Sequence, residues 1–166
     1  MLDIPCVRLS FLDEVFEIQR MPGRKHEIVK ARIGGLLEVY LLKADIDYTP
    51  TGSMTLESEE CLVRREADKS YELGADRKRP HLAIEVVVCS GGIDKLEAYK
   101  RLKIREVWFW EKSQLSLYAL REEGYEQIGS SELLPELDIA LFVRCMSIAN
   151  HVEAIKEFNS ACDRAL

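Results

Sequence analysis

No stretch of this 166-residue chain reaches the roughly 20 consecutive apolar residues that a membrane span requires. The first residues, Met1-Leu2-Asp3-Ile4-Pro5, carry neither the basic start nor the apolar run of a secretory signal. A cytoplasmic protein with no membrane partner is therefore expected. Cysteine is present but unorganised. Cys6, Cys61, Cys89, Cys145 and Cys162 are odd in number and widely spaced, with no C-x-x-C pair, and His26, His81 and His151 stand alone. A zinc site needs several soft ligands converging, usually in short pairs, and that pattern is missing. The cysteines read instead as small buried apolar groups in a reducing compartment. Five Pro and nine Gly are too few for a collagen-like or low-complexity chain. No internal repeat, flexible linker, helix-turn-helix or zinc-finger spacing is visible.

What is present is ordinary for a soluble globular protein: 47% apolar and 31% charged residues, at a length that suits one core. A single domain over residues 1–166 is expected, with its core at about 7–125 and a helical extension at about 131–166. The net charge of −6 disfavours a nonspecific nucleic-acid coat protein. Its distribution is uneven. Residues 62–105 hold 11 Lys/Arg against 7 Asp/Glu, residues 1–61 hold 7 against 11, and residues 106–166 hold 5 against 11. A basic middle between acidic ends is either compositional scatter or an anion-facing surface.

Patterning predicts a hairpin from residues 7–11 and 15–19 around Leu12-Asp13-Glu14. A helix follows over Arg24–Lys43, where Ile28, Ile33, Leu36, Leu37, Tyr40 and Leu41 recur near helical spacing. Gly34-Gly35 inside it costs about 1 kcal/mol per glycine relative to alanine and permits close packing of a neighbour. Short strands are expected in residues 45–58, broken at Pro50-Thr51-Gly52, and in 68–73. The strongest strand is 81–89, β-branched and nearly continuously apolar, which suggests a central strand buried on both faces. A Ser90-Gly91-Gly92 loop, a helix over 93–103, strands at 107–110 and 115–120, an edge at Tyr125–Ile128 and helices from 133 onward complete the order. Val152, Ile155 and Phe158 are expected on one face of the last helix. The fold class is mixed α/β (α+β): a central mixed sheet flanked by helices, with an N-terminal β-hairpin.

Glu85 breaks the pattern of Ala83-Ile84-Glu85-Val86-Val87-Val88. A carboxylate in a strand buried on both faces is costly unless it is paired or binds a cation. The simpler reading is a surface Glu or one bridged to a nearby Arg; the functional reading aims it into a polar cleft. Asp68, at the start of the preceding strand, is its natural partner, because two carboxylates on adjacent strands can share one Mg²⁺. Lys95 opens the helix ten residues on, where a short connection can return its amine to the strand end. Taken alone, Asp68 is an ordinary strand-start residue and Lys95 an ordinary surface lysine.

The run Arg79-Pro80-His81-Leu82-Ala83-Ile84-Glu85-Val86-Val87-Val88-Cys89-Ser90-Gly91-Gly92-Ile93-Asp94-Lys95-Leu96-Glu97-Ala98-Tyr99, followed by Arg105-Glu106-Val107-Trp108-Phe109-Trp110, resembles the core of the Uma-two restriction endonuclease family of the PD-(D/E)XK nuclease superfamily. Glu66-Ala67-Asp68-Lys69-Ser70-Tyr71 resembles that family's strand with the motif Asp. Arg24-Lys25-His26-Glu27 resembles the start of its first core helix, which carries a further Glu. The resemblance covers roughly residues 7–125. It implies a restriction-endonuclease-like core and Mg²⁺-dependent hydrolysis of DNA, with Mn²⁺ as a possible substitute. By position, Asp68 and Glu85 become metal ligands, Glu27 an auxiliary carboxylate and Lys95 the catalytic lysine. The superfamily's usual lysine position, two residues after the Glu, holds Val87, so the amine comes from the helix instead. His81 stands where relatives often have Asp, and is expected at the surface.

Arg64, Arg65, Lys69, Arg77, Lys78, Arg79, Lys100, Arg101 and Lys103 are candidates for DNA phosphate contacts, of which not all can face one groove; the commoner use of residues such as Lys100, Arg101 and Lys103 is to solvate a helix. A homodimer would let two sites cut both strands. The alternative is a catalytically inactive nuclease-fold module that binds DNA or protein.

Overall fold

The computed structural model describes residues 7–20, 23–75, 78–87 and 94–165. Cys6, Arg77, Cys89 and the expected Ser90-Gly91-Gly92 loop lie outside the described residues. Within them the chain runs β1 (Val7–Leu12), β2 (Val15–Arg20), α1 (Arg24–Lys43), β3 (Tyr48–Pro50), β4 (Thr55–Ser58), β5 (Val63–Glu66), β6 (Lys69–Leu73), β7 (Leu82–Val87), α2 (Lys95–Arg101), β8 (Glu106–Glu111), β9 (Gln114–Leu120), β10 (Tyr125–Ile128), α3 (Ile139–Met146) and α4 (His151–Ala165). No described helix is long and apolar enough to cross a membrane.

The larger sheet has the order β10-β9-β8-β7-β6-β3 and the smaller β2-β1-β5-β4. In the larger sheet β7 pairs parallel with β8, while the other pairs are antiparallel, so the sheet is mixed as expected. The β-branched run of β7 lies between β6 and β8, with Leu82 to Val86 buried.

Alternation along β7 and β8 feeds two cores. Ile84 and Trp108 join Ile33, Leu36 and Leu37 of α1, Phe142 of α3 and Phe158 of α4. On the opposite face Ala83 and Val107 meet Tyr99 of α2, Ile104, and Leu56 of β4. Val63 of β5 and Ala98 of α2 extend that second layer toward the hairpin. The aromatic strand is thus core: Trp108 and Trp110 are buried, and Phe109 meets Tyr118 edge-on.

The two helix glycines are contact points. A side chain at Gly34 would run into the end of Lys69 on β6, and one at Gly35 would lie 3.1 Å from Ile155 of α4. Arg32 of α1 hooks the other end, donating to the carbonyls of Met146 and Ala149, at 3.2 and 3.0 Å, and to that of Ile148. It caps α3 where the helix leaves carbonyls without intrahelical partners.

Three expectations need correction. β5 carried no strand signal, because its inward residues are Val63 and Arg65 and the charge masks the alternation. His81 is buried, not at the surface; its Nδ1 accepts the Leu73 N–H at 2.9 Å, and its backbone bonds both neighbouring strands. Val152 is 58% exposed. Three-residue steps drift by about 60° each on a 3.6-residue helix, so Val152 leaves the face that holds Phe158.

Candidate active site

Glu85 lies in the middle of β7, and its side chain is buried. It enters the second core layer, between the larger sheet and α2. Three side chains from two elements converge on it. Arg65 of β5 donates Nε and Nη2 to Oε1 at 3.0 and 2.9 Å, and the Tyr99 hydroxyl of α2 donates to the same oxygen. Lys95 Nζ, one turn before Tyr99, donates to Oε2 at 3.2 Å. Residues i and i+4 share a helix face, so α2 sends an amine and a phenol to one carboxylate. Asp94 caps the helix by accepting the Glu97 N–H at 3.1 Å. A cation in the first helical turn opposes the helix dipole; Glu85 compensates Lys95 there.

Arg65 is 1% exposed. Burial alone would favour its neutral form, but Glu85 and Tyr99 outweigh that and hold the guanidinium protonated. Its Nη1 reaches Ser10 Oγ at 3.3 Å and Glu17 Oε2 at 3.6 Å, tying the hairpin to the site. Burial, then the Glu85 charge, raises the Tyr99 phenol well above its ordinary value, so it remains a donor.

Asp68 precedes β6. The β6–β7 register begins with Lys69 opposite Ile84, and Asp68 is the bend residue just before it. Its buried Oδ2 accepts the Val86 N–H at 2.7 Å and lies 3.0 Å from His26 Nε2 of α1. Glu27 is exposed. It meets His26 Nδ1 at 3.2 Å and Lys30 at 2.9 Å. Partial burial raises its pKa, but Lys30 and His26 overcome this and leave it below the usual carboxylate range.

The structure therefore brings Glu85 and Lys95 into contact, binds Asp68 to the backbone N–H of Val86, the residue after Glu85, and connects Glu27 to Asp68 through an imidazole. Among the described residues no three His, Cys, Asp or Glu converge as a metal-binding group. The sequence profile of the Uma2 family, described as "Putative restriction endonuclease", matches residues 2–149. The chain belongs to this family. No curated protein matches the chain. The Uma2 match runs from the hairpin through α3 and stops before α4.

Three residues around this Uma2 site escaped the sequence reading. Arg65 was expected on DNA, and its burial against Glu85 corrects that. The charge of Arg65 hides the period-two alternation that Val63 and Ala67 would otherwise give. His26 continues the buried stripe of Ile33 and Leu37 back to the first turn of α1. Tyr99 lies four residues after Lys95.

The basic surface is smaller than expected. Lys69 pairs with Glu38 at 3.7 Å, Lys100 donates to the Glu123 carbonyl, and Arg101 is engaged by Asp13 and Glu97. Arg64, Lys78, Arg79 and Lys103 are exposed.

Proposed function

We propose that the chain is a metal-dependent DNA endonuclease in which Asp68 and Glu85 hold Mg²⁺, or Mn²⁺ in its place. Lys95 is the catalytic lysine and Glu27 an auxiliary carboxylate that reaches Asp68 by way of His26. One observation carries this reading within the family: a buried carboxylate on the central strand touches the lysine of the following helix, and a second buried carboxylate accepts the N–H of the next strand residue, Val86. The donor set fits a hard cation. Mg²⁺ is commonly held by one or two carboxylates, with waters and substrate phosphate supplying the remaining oxygens.

Held by Asp68 and Glu85, a metal would supply charge neutralisation at the scissile phosphate and a more acidic water. The chain's own groups do the rest. Arg65 and Tyr99 fix the plane of Glu85, and Val86 N–H fixes Asp68. Lys95 presents a positive charge toward a phosphate oxygen or orients the attacking water. Arg64, Lys78, Arg79 and Lys103 contact backbone phosphates, which makes binding steeply salt-dependent. Homodimerisation brings two such sites to one duplex.

The second reading, a noncatalytic DNA-binding or protein-interaction module, is favoured by one observation: Arg65 already neutralises Glu85. Nicking of supercoiled plasmid with Mg²⁺ or Mn²⁺ separates the two. The nuclease gives metal-dependent nicking that Glu85→Gln and Lys95→Ala abolish. Absence of cleavage on duplex, branched and single-stranded DNA, with no Mn²⁺ binding, would establish the noncatalytic module.

A further inference from the structure

α1 reaches the site with a histidine, not with its acid. His26 lies in the first turn, 6% exposed, with Nε2 3.0 Å from Asp68 Oδ2 and Nδ1 3.2 Å from Glu27 Oε1. Asp68 Oδ2 also accepts the Val86 N–H at 2.7 Å. Its two donors come from different layers, one from the sheet and one from the helix packed over it. Two donors from different directions at one oxygen restrict both the rotamer and the plane of the carboxylate. A carboxylate held this way is oriented before any cation arrives, so binding is spared that ordering cost. Partners of this kind behind a ligand tune metal affinity as strongly as many ligands do.

We infer that His26 is a positioning residue for the metal site: it locks the Asp68 carboxylate to α1, and Glu27 braces the ring from its other nitrogen. The inference rests on the nuclease reading in one respect, that Asp68 is a metal ligand. The imidazole also fills space in the core, so the test must separate its donor from its volume.

Calorimetric titration of Mn²⁺ into the metal-free, DNA-free chain does this. Wild type is compared with His26→Leu, His26→Gln and Asp68→Asn, each first checked for folding by circular dichroism. Leucine fills the ring's volume without a donor, whereas glutamine returns an N–H near the place of Nε2. His26→Leu is expected to weaken Mn²⁺ binding roughly 10- to 100-fold, and His26→Gln to bind close to wild type. His26→Ala replaces the leucine variant if leucine fails to pack. Wild-type affinity in the leucine or alanine variant overturns the assignment and leaves the nuclease reading intact. A glutamine variant as weak as the leucine one also overturns it, because the donor would then not be what matters. If wild type binds no Mn²⁺, or Asp68→Asn binds it equally well, the nuclease reading fails and this inference with it.

Discussion

Arg65 gives two N–H groups, Nε at 3.0 Å and Nη2 at 2.9 Å, to a single oxygen of Glu85, with both side chains buried. Removing one partner of such a pair strands the other charge away from water, at about 3–5 kcal/mol. Urea unfolding of Arg65→Ala should show a loss of that size. Arg65→Lys should recover only part of it, because an ammonium cannot reproduce the two-pronged contact. The double variant Arg65→Ala/Glu85→Ala should lose clearly less than the sum of its singles; strict additivity would refute the coupling. The same pair decides how Glu85 is to be tested. Glu85→Ala leaves Arg65 uncompensated and so perturbs folding, whereas Glu85→Gln keeps an acceptor for Arg65 and Tyr99 while removing the charge that the proposed metal would need.

Glu106 supplies the internal control. It too is an acid buried on a central strand, next to β7. Its partners differ in kind. Oε1 accepts the Trp108 indole N–H at 2.6 Å, and Oε2 accepts the backbone N–H groups of Glu132 and Leu133, each at 3.1 Å. Glu106 pins the 131–134 segment to β8, and its acceptors are committed to fixed neutral donors. Glu106→Ala should therefore cost about 2–4 kcal/mol, from donors left unsatisfied, with Mn²⁺ affinity unchanged in the folded protein. A loss of Mn²⁺ binding equal to that of Glu85→Gln would erase the distinction between the two acids.

These two glutamates show what the sequence could and could not reveal. Glu85 interrupts a strongly apolar strand and Glu106 opens one, and the cost of a buried carboxylate marks Glu85 from sequence alone. Elements whose hydrophobic period is undisturbed were equally legible: α1 runs over Arg24–Lys43 and β10 over Tyr125–Ile128, as the pattern indicates. What a single sequence does not carry is which donors meet each acid. Arg65 and Arg64 are indistinguishable in composition, yet one points inward to Glu85 and the other to solvent. Their difference is one of strand parity, and β5 announces itself as a strand only through its pairing with β1 and β4. His26 and Glu27 differ likewise by one helical position. The family resemblance drew attention to Glu27, while the 100° between adjacent helix positions gives the buried contact to His26.

Alkaline stability follows from the buried phenols. Burial, reinforced by Glu38 for Tyr71 and by Glu85 for Tyr99, raises both above their ordinary value of 10.0. Above that pH the unfolded chain releases phenolic protons that the folded chain keeps, so the unfolded state binds fewer protons and unfolding gains with pH. The stabilising contribution is complete below pH 10 and is lost as pH rises further. Thermal melts across this range should show a midpoint that falls above pH 10, and phenolate absorbance for these residues should appear only with unfolding. Tyr99→Phe should make the fall shallower. Phenolate signal from all tyrosines at ordinary pH, with native circular dichroism intact, would contradict the burial of both rings.

The proposed homodimer would form at the edge of the smaller sheet. The aromatic residues of β8 are committed to the core, but β2 ends the smaller sheet and, among the described residues, pairs only with β1. Val15, Phe16 and Ile18 on it are 58%, 73% and 68% exposed. An edge strand with bare apolar side chains is a template for pairing with another strand. Antiparallel self-pairing about Glu17 sets Phe16 of each copy against Ile18 of the other, so one contact is made twice and the interface closes on itself. Sedimentation velocity should show a concentration-dependent dimer, and Phe16→Lys/Ile18→Lys should give a folded monomer. Wild type that stays monomeric, or a double-lysine variant that still dimerises, removes β2 as the interface. On the nuclease reading the consequence for cleavage is direct, because each copy would carry one site and a duplex has two strands. The dimer should linearise plasmid with little nicked intermediate, while the double-lysine monomer, its Asp68 and Glu85 untouched, should accumulate nicked circles first.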